Sequence, residues 1–197
     1  MITQLSQRVG LLSKLVKLMP KSRFHMICQG LFYSKLLYCI QIIGNVWGLG
    51  TADTESRRYS SFTKEDNRRL QTLQNKVMQL KTGLPLGTPT KTLLEASGDL
   101  SVQQLIAYVT LSTCQKMVLT GKPIVLADKF KQSCVSTRQG INIRIEANLT
   151  LTRGAFFYRA AVLFNKLPQD IRDQLLSKAF REKMREWIRF NVPVKPA

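Results

Sequence analysis

Leu5, Val9, Leu12, Val16 and Met19 recur at steps of three and four, with Arg8, Lys14, Lys17 and Lys21 around the stripe. This spacing predicts an amphipathic basic helix that Pro20, lacking an amide donor, stops or kinks. From Phe24 to Ile43 apolar residues (Ile27, Leu31, Phe32, Leu36, Leu37, Tyr38, Ile40) cover most sides of a second predicted helix. Gly44 ends it, and the glycines at 44, 48 and 50 make a loop around Trp47. The polar stretch from Thr51 to Ser61, with its Arg57–Arg58 pair, reads as a mobile surface loop.

Thr63 can cap the next helix, and Glu65 and Asp66 suit the positive end of its dipole. Leu70, Leu73, Val77 and Leu80 form its narrow apolar seam, and Gly83-Leu-Pro85-Leu-Gly87 breaks it. Pro89 opens a short helix that Gly98 closes. Ser101 and Gln104 have capping-box spacing and start a helix through Leu105, Ile106, Val109 and Met117, ended by Gly121 and Pro123. Between Gln139 and Ala147 the period changes to two: Ile141, Ile143 and Ile145 alternate with Asn142, Arg144 and Glu146, as in a half-buried strand. Leu149 and Leu151 extend this to a hairpin near 139–152. Helices return at about Ala160–Leu167 and Ser177–Phe190, the last expected to bury Phe180, Met184 and Trp187. The expected fold is mainly α: helical, bundle-like subdomains with one small β-hairpin. A basic subdomain occupies 1–86 and a second subdomain 87–197.

Charge narrows the choice of partner. Thirty Lys and Arg against 12 Asp and Glu give a net charge of +18, and the first 52 residues carry no acid. Such a surplus repels itself and favours contact with a polyanion, nucleic acid before an anionic membrane surface. Apolar residues make up 44% of the chain, enough for a globular core. Cys28, Cys39, Cys114 and Cys134 match no disulfide framework or zinc spacing, and Arg8, Lys14 and Lys17 break any early signal-like run. A reducing compartment, cytoplasm or nucleus, is the expectation.

Catalytic chemistry finds no anchor. Polymerase and nuclease metal sites need converging carboxylates; Glu65-Asp66 is the only adjacent acidic pair, and it stands where a helix begins. His25, Cys28 and Cys39 share a predicted helical side that is otherwise apolar, and one straight helix holds the two thiols too far apart for a common ion. His25 is the only histidine available as a base, and no phosphate-binding glycine loop occurs. No metal or other cofactor is expected. The stretch Phe24–Leu49 has the length of a bilayer span, but Gln29, Lys35 and Gln41 interrupt it, and a buried core helix fits better. The basic helices have two readings, solvated faces or a binding track. In Phe156-Phe157-Tyr158-Arg159 two of the rings read as core and Arg159 as a ligand contact.

Several blocks, in order, resemble one family. QRVGLLSKLVKLMPKSRFHMICQGLFYSKLLYCIQIIGNVWG (Gln7–Gly48) is similar to the thumb that follows the polymerase palm of jockey-like non-LTR retrotransposons, with Ser34, Tyr38, Cys39, Trp47 and Gly48 at its marker positions. RRLQTLQNKVMQL (Arg68–Leu80) resembles the family's next helix. TPTKTLLEASGDLSVQQLIAYVTL (Thr88–Leu111) resembles its Leu-Ser-Val-Arg-Gln block, with Gln103 where Arg is usual, which puts any role of a basic group there in doubt. TGKPIVL (Thr120–Leu126) follows. FFYRAAVLFNKLPQDIR (Phe156–Arg172) resembles the family's Tyr-Arg-Ala…Asn-x-Leu-Pro-x-x-Ile-Arg signature. The resemblance implies origin in the C-terminal part of a reverse transcriptase, an RNA-directed DNA polymerase. That family's catalytic aspartates and endonuclease lie upstream of everything matched here, so no catalytic residue carries over.

The expected function is therefore non-catalytic binding of RNA or an RNA–DNA hybrid through its backbone, with the palm of a parent polyprotein as a possible protein partner. The expected phosphate contacts are Arg8, Lys14, Lys17, Lys21, Arg23 and Lys35, extended by Arg68, Arg69 and Lys76, with Arg159 in the second subdomain. Two alternatives stand beside it: a membrane-associated protein using 24–49, and a decayed element-derived frame without activity.

Overall fold

A computed structural model describes residues 1–38, 40, 63–122, 134–137, 140–143 and 156–194. The fold is mainly helical. Helix α1 (Ile2–Leu15) buries Leu5, Val9 and Leu12, as the stripe predicts, and ends before Pro20. Pro20, in extended geometry, precedes α2 (Lys21–Cys28).

The sequence predicts one helix from Phe24 to Ile43, and the structure interrupts it. A π-helical turn, Gln29–Tyr33, joins α2 to α3 (Ser34–Leu37), and at Tyr38 the backbone opens to ψ 117°. A wide turn accommodates an extra residue. Consecutive side chains, Phe32 and Tyr33, thereby both point inward and meet edge to face at 5.3 Å. Between Tyr38 and Thr63 only Ile40, which is buried, is described; Trp47, its flanking glycines and the Arg57–Arg58 stretch lie outside the described residues.

Helix α4 (Lys64–Thr82) begins with a complete capping box: the Asp66 amide donates to the Thr63 hydroxyl, and the Asp66 carboxylate accepts from the Thr63 amide. Helix α5 (Thr90–Ser97) ends at Gly98, whose φ of 67° suits a residue without Cβ. Helix α6 (Val102–Thr120) has the expected Ser101–Gln104 box. Strand β1 (Cys134–Thr137) pairs antiparallel with β2 (Gly140–Ile143), placing Cys134 opposite Ile143. The described partner of β2 thus precedes it, whereas the sequence placed the second arm after it; Leu149 and Leu151 lie outside the described residues. Helices α7 (Phe156–Asn165), α8 (Gln169–Arg172) and α9 (Ala179–Asn191) complete the described chain. In α9, Phe180, Met184 and Ile188 fill the buried four-residue stripe, and Trp187 sits half-buried beside it.

Two apolar clusters hold these elements. The first joins α1, α2, the π turn, α3 and α4 to Val102 and Ile106 of α6. The second joins Ala107, Leu111, Cys114 and Met117 of the same helix to β2, α7, α8 and α9. Helix α6 therefore contributes to both clusters. A smaller cluster of Met78, Leu93 and Leu94 seats Val194 against α4 and α5.

Candidate nucleic-acid interface

The basic positions of the first subdomain gather where α1 turns into α2. Lys14 lies in the last turn of α1, Lys17 in the connection, and Lys21 and Arg23 in the first turn of α2; all four are exposed. None makes an ion pair with a described residue. No acid lies nearby in sequence to compensate them.

Arg8 and Lys35 are brought together, though 27 positions apart, in a shallow cleft of about 390 Å³ shared with Gln4, Gln7 and Leu11. The Arg8 guanidinium donates to the Leu31 carbonyl at 2.6 Å, which fixes it between α1 and the π turn. The Lys35 ammonium stands 5.6 Å from the centre of the Tyr38 ring. Gln7, Leu11 and Lys14 follow one another on a single helical stripe, so the cleft runs toward the exposed corner. The structure thus brings Arg8 and Lys35 into one cleft, while Lys14, Lys17, Lys21 and Arg23 stand exposed along the α1–α2 turn.

The remaining expected contacts differ. Arg68 and Arg69 share the Glu65 carboxylate at 2.9 and 3.1 Å, and their guanidinium groups hold that carboxyl down at about 2. Their charge is partly spent within α4. Lys76 is exposed and borders a separate groove. The side chain of Arg159 lies outside the described residues. His25 is exposed while Cys28 is fully buried, so the pair does not share one environment, and Cys39 is not described. Among the described residues no three metal-ligating side chains cluster. No described helix is long and apolar enough to cross a membrane.

Several polar residues from Arg68 onward point inward. In α4, Gln71 donates to Gln74 and Asn75 and accepts from the Val102 amide; Gln74 donates to the Leu100 carbonyl at 2.7 Å. Lys81 and Tyr33 both donate to one oxygen of Asp99, at 2.6 and 2.7 Å. Burial and the adjacent Asp99 push the Tyr33 phenol well up, and burial raises the Cys28 thiol to about 11 despite Lys81 nearby. Gln104 donates to the Arg189 and Val192 carbonyls. Asn165 bonds both the amide and the carbonyl of Ile143 at 2.8 Å, and Arg172 donates to Asn142, so the Asn-Lys-Leu-Pro-x-x-Ile-Arg run clamps β2. Gln103 is buried.

Sequence reasoning passed over one surface, a groove of about 1170 Å³ between α4, α5 and the end of α9. Its borders include Lys76, Lys91 and Arg189, with Leu86 and Phe190 standing 86% and 82% exposed. An available signal was the Arg189-Phe190 pair: Phe190 falls two positions past Ile188 and so off the buried stripe. Comparison with protein-family models, with curated proteins and with solved structures finds no match.

Proposed function

We propose that this chain binds the sugar-phosphate backbone of RNA or an RNA–DNA hybrid, as the thumb region of a reverse transcriptase does. One observation carries the reading: Lys14, Lys17, Lys21 and Arg23 stand exposed at one helical corner with no carboxylate among the described residues paired to them. Arg8 and Lys35, which share a cleft with Gln4, Gln7 and Leu11, add two further cations. The resemblance of the blocks to the jockey-like thumb supports the same reading. Backbone contacts supply affinity and register with little choice of sequence. Bond-making belongs, on this reading, to a palm not among these residues, so the chain alone incorporates no nucleotide.

Six neutralised phosphates on a single strand give a log–log salt slope of about −4, an affinity loss of roughly 300-fold between 50 and 200 mM salt. Anisotropy titrations of a labelled RNA across that range test this. Charge reversal at Lys14 and Lys17 should flatten the slope by at least about 1.4 and weaken all sequences alike. An affinity indifferent to salt, or a loss confined to one sequence, rejects backbone binding.

A further inference from the structure

Resting on that reading, we infer that the groove between α4, α5 and the end of α9 seats the bases of a single-stranded nucleic acid, with Phe190 as the stacking surface. Its two faces differ in kind. Phe190 and Leu86 both line it and present apolar surface to solvent at 82% and 86% exposure. Lys76, Lys91 and Arg189 stand at the border.

Two carboxylates also border the groove, and one is committed. Asp99 is held by Lys81 and Tyr33, which leaves Glu95 against three cations. The Arg189 guanidinium donates to the Gly98 carbonyl at 2.8 Å, a neutral acceptor that orients the group without cancelling its charge. The surplus is positive, and the occupant it matches is an anion that also carries flat apolar faces. Unpaired nucleotides have both: phosphates for the cations and π-faces for the ring. A duplex does not, because its bases are stacked inward and only its backbone and groove edges are presented. The volume, about 1170 Å³, exceeds the ~300–1,000 Å³ of ordinary small-molecule sites, which suits a run of nucleotides. The groove is rigid where it matters. Gln104 ties its floor to the Arg189 and Val192 carbonyls, and Val194 is anchored against Met78, Leu93 and Leu94.

This site is separate from the α1–α2 corner, so the two can be told apart. The full chain is titrated with a labelled oligouridine 12-mer and with a 12-unit abasic phosphodiester of equal charge. The base-bearing strand should bind about tenfold more tightly, the scale of one aromatic–base stack. Phe190→Ala should erase that preference, Phe190→Trp should keep it, and charge reversal at Lys14 and Lys17 should weaken both strands equally. Phe190 is exposed, and matching circular dichroism spectra confirm that its variants fold. Equal affinity of the unaltered protein for both strands, or an undiminished preference in Phe190→Ala, overturns the inference while leaving salt-dependent backbone binding intact. Absence of binding to either strand overturns both readings. A Phe190→Ala variant that only turns a dimer into a monomer in sedimentation assigns the groove to contact between copies, and also overturns it.

Discussion

Replacing Asp99 with alanine should destabilise the chain out of proportion to the charge removed. Asp99 accepts from the Lys81 ammonium at 2.6 Å and from the Tyr33 hydroxyl at 2.7 Å through the same oxygen. The Lys81 side chain is 3% exposed and that of Asp99 14%, so the pair sits where water barely reaches. Truncation leaves a buried ammonium without a counter-charge and a buried phenol without an acceptor. Breaking a buried pair in this way costs about 3–5 kcal/mol, a large share of the ~5–15 kcal/mol that holds a typical domain. For a chain of this size that corresponds to a fall of about 10 °C in Tm. Glu95→Ala is the matched control, because it removes the same unit of negative charge from the exposed side of α5 and should stay within about 0.5 kcal/mol of the parent. Adding Lys81→Met to Asp99→Ala removes the stranded charge and should recover at least about half of the loss. Urea unfolding followed by circular dichroism measures all four proteins. If Asp99→Ala loses no more than Glu95→Ala, or the double variant is no better than the single, the buried pair is not what ties Tyr33, α4 and the loop before α6 together.

Three further outcomes are expected. The Glu65 carboxyl lies at about 2 in the folded chain against an ordinary 4.5, so its stabilising contribution is complete above pH 4.5 and lost as pH falls toward 2; an NMR titration with a midpoint of 4 or higher would contradict the pairing with Arg68 and Arg69. The Cys28 thiol, raised to about 11, and the fully buried Cys114, pushed up by desolvation, should alkylate at pH 8 at least about tenfold more slowly in buffer than in urea, and equal rates at either site reject its burial. Two glycines should respond with opposite signs: Gly98→Ala, at φ 67°, should cost about 1 kcal/mol, whereas Gly10→Ala, inside α1 with open space beside it, should gain about 0.5–1 kcal/mol in the same urea assay.

Periodicity and caps made most helices readable. The Leu5–Val9–Leu12 stripe, the start at Thr63 and the box at Ser101 are each decided within one or two turns of chain, by local hydrogen bonds and by which face is apolar. The interruption at Gln29–Tyr33 was not readable, because an extra residue in a helix leaves the composition unchanged and is justified only by where Phe32 and Tyr33 end up. The partner of β2 was missed for a similar reason. Cys134–Thr137 lacks the isoleucine alternation that marks Gly140–Ile143, and pairing between strands is settled by the sheet rather than by either strand. Among the proposed contacts, charge alone grouped Lys14 and Lys17 with Arg68 and Arg69; Glu65, three and four positions before the latter pair, was the local signal that separates them. The groove beside Phe190 is assembled from segments about a hundred positions apart, which no local pattern records.

The sharing of one long rod between both apolar interiors, with Val102 and Ile106 facing one and Leu111 and Cys114 the other, has a practical outcome for anyone dissecting the molecule. A fragment stopping at residue 86 would carry the cationic corner but lack Val102 and Ile106, which belong to its apolar interior. Heating the intact chain should therefore give a single calorimetric peak, and a soluble basic half will need to include the rod as far as Val109.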